Sequence, residues 1–270
     1  MEEFKLNAKI DPIDNRDFLF ESSFQLELPN KVDHINEMTR VKNQGRLGSC
    51  VAFAVTAIKE WQESKEHQLE IENGKEDHRL GKEYDLSEQW LYYNCIKIDP
   101  WGESVEGTSI RYAMKVLQKI GVPCEKGWPY NSTQKGKPES WANMVAVWSL
   151  IESYQLVYGL DNIKKALINA PLASAIFCYE EINKVGNDGI IADPTENSRY
   201  TGAHAIALVG YDEEKQLFKF KNSWGTGWGE NGYGYFSYNY SIKNLVNVWT
   251  MNDLSVTNEM LKGKKILNNL

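Results

Sequence analysis

Between residues 51 and 61 the chain carries Val51, Phe53, Ala54, Val55, Ala57, Ile58 and Trp61. That apolar density is too continuous for a one-faced surface helix and predicts a buried one. The polar, acidic stretch 62–82 that follows reads as a solvated helix end and loop, with a turn at Asn73-Gly74. Leu86-Ser87-Glu88-Gln89 predicts a helix start capped by Ser87, with Trp90, Leu91 and Tyr93 on its apolar side. Ile110, Ala113, Met114, Val116 and Leu117 recur at helical spacing and stop at Gly121, ahead of Pro123. From residue 145 the texture changes. Short apolar runs at 145–150, 172–179, 204–211, 217–221 and 233–238 predict strands, with one helix at 162–169 among them. A helical first half and a β-rich second half predict an α+β chain of two subdomains with a cleft between them. The expected divisions are an N-terminal segment 1–27, a helical part 28–144, a β-rich part 145–250 and a tail 251–270.

Composition narrows the function. The 270 residues are 42% apolar and 25% charged, enough for a sizeable core. A net charge of -7 argues against nucleic acid as a partner. No apolar run reaches transmembrane length, and Met1-Glu2-Glu3-Phe4-Lys5 has neither the basic nor the apolar region of a secretory leader. Cys50, Cys95, Cys124 and Cys178 are widely spaced with no Cys-x-x-Cys pair, so a zinc ribbon is not expected. A bridge between Cys95 and Cys124 stays open. No metal or cofactor is expected.

The chemistry concentrates at four places. Cys50 ends the loop Asn43-Gln44-Gly45-Arg46-Leu47-Gly48-Ser49 and opens the buried helix. Free N–H groups and the helix dipole there favour a thiolate, and Gly48 permits close approach. A thiolate nucleophile needs a base, an orienting partner and oxyanion donors. Of the four histidines, His34 lies in the lead-in and His67 and His78 in the charged stretch. Only His204 heads an apolar strand, Gly202-Ala203-His204-Ala205-Ile206-Ala207. Asn222, in Lys221-Asn222-Ser223-Trp224-Gly225-Thr226-Gly227-Trp228-Gly229, can accept an imidazole N–H and fix its tautomer without adding charge. Trp224 can shield that bond from water, and Trp228 can wall a cleft.

Gln44-Gly45 with Gly48-Ser49-Cys50, Leu86 to Gln89, the His204 strand and the Asn222–Trp228 loop together resemble the papain-like cysteine peptidases, in that family's order, from Leu28 to about Tyr240. The resemblance implies a papain-like two-subdomain fold, a helical left subdomain and a β-barrel-like right subdomain with the active-site cleft between them. It implies Cys50 as nucleophile, His204 as acid/base, Asn222 as the residue orienting the imidazole and Gln44 as an oxyanion donor beside the Cys50 N–H. It also implies Trp224 over the His–Asn bond, Trp228 on the leaving-group side, and Gly107 as a backbone partner of extended substrate. Ala203 and the neighbourhood of Thr108 are candidates for the substrate pocket. The partner is then a polypeptide substrate, with no nucleic acid and no membrane, and the enzyme a monomer.

Four departures stand out. Leu47 occupies the place of a family cysteine, removing the disulfide beside the site, and Val51 replaces an aromatic. Asn222 follows Cys50 at a longer interval than the family's roughly 130–150 residues. Only 27 residues precede Leu28, where the family carries a long inhibitory prosegment. The lost disulfide and absent leader favour a reducing, intracellular setting, while the resemblance favours secretion or lysosome-like compartments, and localisation is left open. An endopeptidase is expected, with two alternatives: a transpeptidase or ligase using the same thioester, and a non-catalytic binding homologue. Phe18, Leu19, Phe20 and Phe24 lead residues 1–27 to be read as a belt on the folded domain; a segment lying in the cleft as an inhibitor is the other possibility.

Overall fold

The computed structural model of the chain describes residues 5–21, 27–72, 84–102, 104–133 and 136–253, with side chains described for all of these but 69–72. The expected Asn73-Gly74 turn, Phe24 and the tail beyond Asp253 lie outside the described residues.

A three-residue strand, β1 (Lys31–Asp33), leads the chain towards the nucleophile helix α1 (Cys50–Glu72). Cys50 to Ile58 are buried without interruption, because α1 is covered from several sides. Helices α2 (Glu88–Ile98) and α3 (Ile110–Lys119) flank it, and the sheet packs on it as well. Ser87 caps α2 as expected, its hydroxyl accepting the Trp90 N–H at 3.1 Å. The predicted apolar face of α3, Ile110 to Leu117, is buried. The chain turns away at Gly121, where φ is +77° and an added Cβ would lie 1.9 Å from the Ala146 carbonyl.

The strand expected at 145–150 is not there. A short helix, α4 (Ala142–Ala146), and a 3-10 turn at Val147–Ser149 take its place. Burial at Ala142, Ala146 and Ser149 follows spacings of four and three, so the helical period prevailed over the β preference of Val145 and Val147. The strand begins only afterwards, as β2 (Ile151–Val157). Then come α5 (Leu160–Asn169), β3 (Leu172–Tyr179), β4 (Tyr200–Asp212), β5 (Leu217–Lys221), β6 (Tyr233–Ser237), α6 (Tyr238–Asn244) and β7 (Leu245–Asp253). Helix α6 and strand β7 have no counterpart among the expected elements, and β7 carries residues 251–253 of the expected tail.

The strands form one antiparallel sheet in the order β2-β7-β3-β4-β5-β6, with β1 also paired to β4. Alternation along β3 and β4 assigns its two faces. Ala173, Ala175, Ala205 and Ala207 join the core built around α1, while Leu172, Ile176, Ile206 and Leu208 join a second core with Phe218, Phe220 and Phe236. Small residues on the first face let the helix approach the strands closely. The architecture is α+β, six helices beside a seven-stranded antiparallel sheet among the described residues.

Two lysines tie together segments distant in the sequence. Lys42 Nζ lies 2.7 Å from Glu60, 2.6 Å from Glu88 and 2.5 Å from Asp85. Lys221 Nζ donates to the Thr39 carbonyl at 2.9 Å. All four cysteines are free, so no bridge joins Cys95 to Cys124: Cys95 is buried on α2, and Cys124 is exposed.

Residues 5–21 pack on this body along two paths. Residues 18–20 run beside β2, with the Leu156 N–H donating to the Phe18 carbonyl at 2.8 Å and the Phe20 N–H to the Leu156 carbonyl at 2.9 Å. Backbone pairing holds this part, since the Phe18 and Leu19 side chains, whose apolar character led to the belt reading, are 75% and 52% exposed. Residues 5–9 instead cross the ground between α1 and β4.

Candidate active site

Cys50 is the first residue of α1, and its thiol lies against the backbone amides of Ala205 and Asn7. Ala205 follows His204 on β4, so the helix N-terminus and the histidine strand meet at this point. The imidazole Nε2 of His204 is 2.8 Å from Asn222 Oδ1. That oxygen also accepts the Ser223 N–H at 2.8 Å. A carbonyl oxygen only accepts, so Nε2 carries the proton and Nδ1 presents a lone pair. Nδ1 is buried with no hydrogen-bond partner among the described residues. Trp224 lies over the ring at 4.6 Å between centroids, tilted by 32°, and Trp228 meets Trp224 edge-on at 5.4 Å.

Gln44 is fully buried and fixed at both ends of its amide. Ser223 Oγ donates to Gln44 Oε1 at 2.6 Å, and Gln44 Nε2 donates to the Leu47 carbonyl at 3.0 Å and the Lys5 carbonyl at 3.4 Å. Its backbone is tied as well, with the N–H on the Ser223 carbonyl at 2.8 Å and the carbonyl receiving the Tyr130 hydroxyl at 2.7 Å. Ser223 therefore couples Gln44 and Asn222 directly. The antiparallel bridge between Asn43 and Trp224 joins the same two loops.

Residues 5–9 occupy the groove over these groups. Ala8 N–H donates to the Ala203 carbonyl at 3.0 Å and Lys9 N–H to the Thr108 carbonyl at 2.9 Å. Gly107, at φ +94°, has its N–H on the Tyr92 hydroxyl at 3.1 Å, and a Cβ there would lie 1.8 Å from the Asn7 carbonyl. Gly48 would similarly collide with Asn7, at 2.9 Å. Gly107, Ala203 and Thr108 thus contact an extended chain, and that chain is the protein's own.

Burial sets the electrostatics. It pushes the Cys50 thiol up to about 11, the neighbouring backbone amides opposing only in part. It pushes His204 down to about 4, against the bond to Asn222. In this covered form the pair is a neutral thiol and a neutral imidazole. The helix terminus alone would favour the thiolate, as expected from the sequence, but desolvation outweighs it. Among the described residues one group of three acidic side chains, Glu63, Glu66 and Asp253, has metal-ligand spacing. Lys59 Nζ already lies 3.0 Å from Glu63 and 2.5 Å from Asp253.

The structure thus gathers Cys50, His204, Asn222, Gln44, Gly107, Ala203 and Trp224 at one groove, with Trp228 beside Trp224. Sequence reasoning passed over Ser223, Tyr92, Tyr130 and Glu106. Ser223 could have been found from its place beside Asn222; the two tyrosines come from distant segments with no local signal.

A thiol at a helix N-terminus, a histidine bonded to an amide oxygen and a buried glutamine amide match the arrangement of thiol-dependent acyl hydrolases. Comparison narrows this: the family model for the papain family cysteine protease matches residues 28–254, and the chain belongs to that family. It is 28% identical to an uncharacterized peptidase C1-like protein of Acanthamoeba polyphaga mimivirus, over 88% of this chain and 74% of that protein. It is 31% identical to a viral cathepsin of Spodoptera litura multicapsid nucleopolyhedrovirus, over 74% of this chain but 53% of the relative, so it spans about half that protein's length. The crystal structure of xylellain, a cysteine protease from Xylella fastidiosa, superposes with a TM-score of 0.79 at 29% identity, covering 92% of this chain and 96% of that one.

Proposed function

We propose that this chain is a thiol-dependent endopeptidase and that the structure captures it with its cleft closed by residues 5–9. The observation that carries the chemistry is the His204 Nε2 contact to Asn222 Oδ1, which leaves Nδ1 as the basic nitrogen. With a substrate in place of the segment, Nδ1 takes the Cys50 proton and the sulfur attacks the peptide carbonyl carbon. Gln44 Nε2 and the Cys50 N–H receive the developing oxyanion. The imidazolium returns its proton to the departing amine, leaving a thioester on Cys50. Water then gives a proton to Nδ1 as its oxygen attacks the thioester, and the released thiolate recovers that proton as the acid product leaves.

The closed state has a physical basis in the same contacts. Residues 5–9 are held in the groove by the backbone bonds of Ala8 to Ala203 and of Lys9 to Thr108. The raised thiol and lowered imidazole pKa values fit a resting form. Hydrolysis of a peptide library by the full chain, with Cys50→Ala as control, tests the reading: cleavage should be present in the first and absent in the second. Equal cleavage by both would remove Cys50 from the mechanism.

A further inference from the structure

Tyr130 takes no part in the proton transfers of the proposed mechanism, yet its hydroxyl touches both sides of the oxyanion site. It donates to the Gln44 carbonyl at 2.7 Å and lies 2.7 Å from Ser49 Oγ. A carbonyl only accepts, so the phenol proton goes to Gln44 and Ser49 is the donor in the second bond. Ser49 is fully buried and directly precedes Cys50, whose N–H is one oxyanion donor, and Gln44 carries the other. One hydroxyl therefore links the backbone at Gln44 to the residue before the nucleophile. The ring is held by separate contacts. It meets Phe53 of α1 edge-on at 4.8 Å, and the Tyr130 N–H donates to Glu125 Oε1 at 2.6 Å. Two residues on, Ser132 closes on the same loop: a Cβ at Gly45, where φ is +58°, would lie 2.9 Å from it. Burial raises the phenol's pKa, so the hydroxyl keeps its proton and stays a donor.

We propose that Tyr130 is a positioning residue, holding the Gln44 amide and the Cys50 N–H at the separation that one developing oxyanion requires. This rests on the peptidase reading above. The loop between the two donors carries glycine at 45 and at 48, so its own backbone does not fix their distance. Ser223 anchors the amide end of Gln44, and α1 anchors Cys50. The phenol sets one anchor against the other. Oxyanion donors act over a narrow range, about 2.7–3.1 Å from the charged oxygen. A small displacement of either donor therefore costs the transition state while leaving ground-state binding of the peptide nearly intact.

Tyr130→Phe tests this, because it keeps a ring against Phe53 and deletes only the hydroxyl. Steady-state cleavage of a peptide by the full chain should lose kcat by roughly tenfold to a hundredfold, with KM changed by less than about twofold. Alkylation of Cys50 by iodoacetamide forms no oxyanion and should proceed at the rate of the unaltered chain. An unchanged kcat overturns the proposal. So does an alkylation rate that falls or rises in step with kcat, since the hydroxyl would then act on the thiol or on the cover of residues 5–9. Ser49→Ala, which removes the second partner of the phenol, decides the case if the phenylalanine variant does not fold. It should lower kcat in the same direction with alkylation unchanged, and an unaltered kcat overturns the proposal. Hydrolysis by the unaltered chain with full kcat in Tyr130→Phe refutes the positioning role alone. Absence of hydrolysis in the unaltered chain refutes the peptidase reading, and the positioning role with it.

Discussion

Replacing Ala8 by proline removes the N–H that donates to the Ala203 carbonyl at 3.0 Å. The grip on the groove also includes the Lys9 to Thr108 bond and the exposed Lys5–Glu106 pair. A neutral hydrogen bond contributes about 0.5–1.5 kcal/mol net, so losing one should raise the open fraction about twofold to tenfold. The assay is the rate of iodoacetamide modification at Cys50. In the closed form the thiol is fully buried and its pKa is pushed up to about 11, so modification at neutral pH proceeds through the open form. Ala8→Pro should therefore label several times faster than the unaltered chain, with an unchanged thermal midpoint for the two lobes. Labelling at equal rates would refute the claim that this contact closes the site. A fall in the midpoint would mean that the segment is part of the fold and not a removable cover.

Gln44→Ala should cost about 3 kcal/mol of transition-state stabilisation, seen as turnover slowed roughly a hundredfold to a thousandfold with an unchanged circular dichroism spectrum. Lys42→Met leaves Glu60 and Glu88, both buried, without their cation; denaturant unfolding should show a loss of about 3–5 kcal/mol. Burial raises the Glu125 carboxyl to about 7, and its contribution is therefore present at pH values below the ordinary carboxylate range and lost as pH rises through about 7. Thermal midpoints measured from pH 5 to 8 should fall less steeply in Glu125→Gln than in the unaltered chain.

The candidate site was legible because its residues sit in short contiguous motifs. The Gly48-Ser49-Cys50 turn, the alternating strand around His204 and the amide before Trp224 each announce a local conformation as well as a reactive group. Fold class followed from the change of period near residue 145, and β3 and β5 coincided with their expected limits. What failed was decided at longer range. The run at 145–150 became helical because Ala142 and Ala146 pack with α1–α3, and β7 gains its identity from pairing with β2 and β3. Phe18 and Leu19 led to the reading of a packed belt, yet backbone hydrogen bonds to β2 hold that part and leave both side chains outside. The path of residues 5–9 has no sequence signature, since Asn7 and Ala8 are ordinary residues; only the space left by Gly48 and Gly107 receives them. The low thiol pKa expected from the helix terminus is opposed by burial, which pushes the thiol up to about 11.

The central claim is that the sulfur of Cys50 becomes covalently acylated during peptide cleavage. Acid-quenching the full chain during turnover of an ester or peptide substrate, followed by digestion and mass spectrometry, addresses it directly. The account predicts the mass of the acyl fragment on the peptide containing Cys50, and no adduct and no cleavage with Cys50→Ala. Cleavage that persists in Cys50→Ala, with no acylated Cys50 in the unaltered chain, would contradict it.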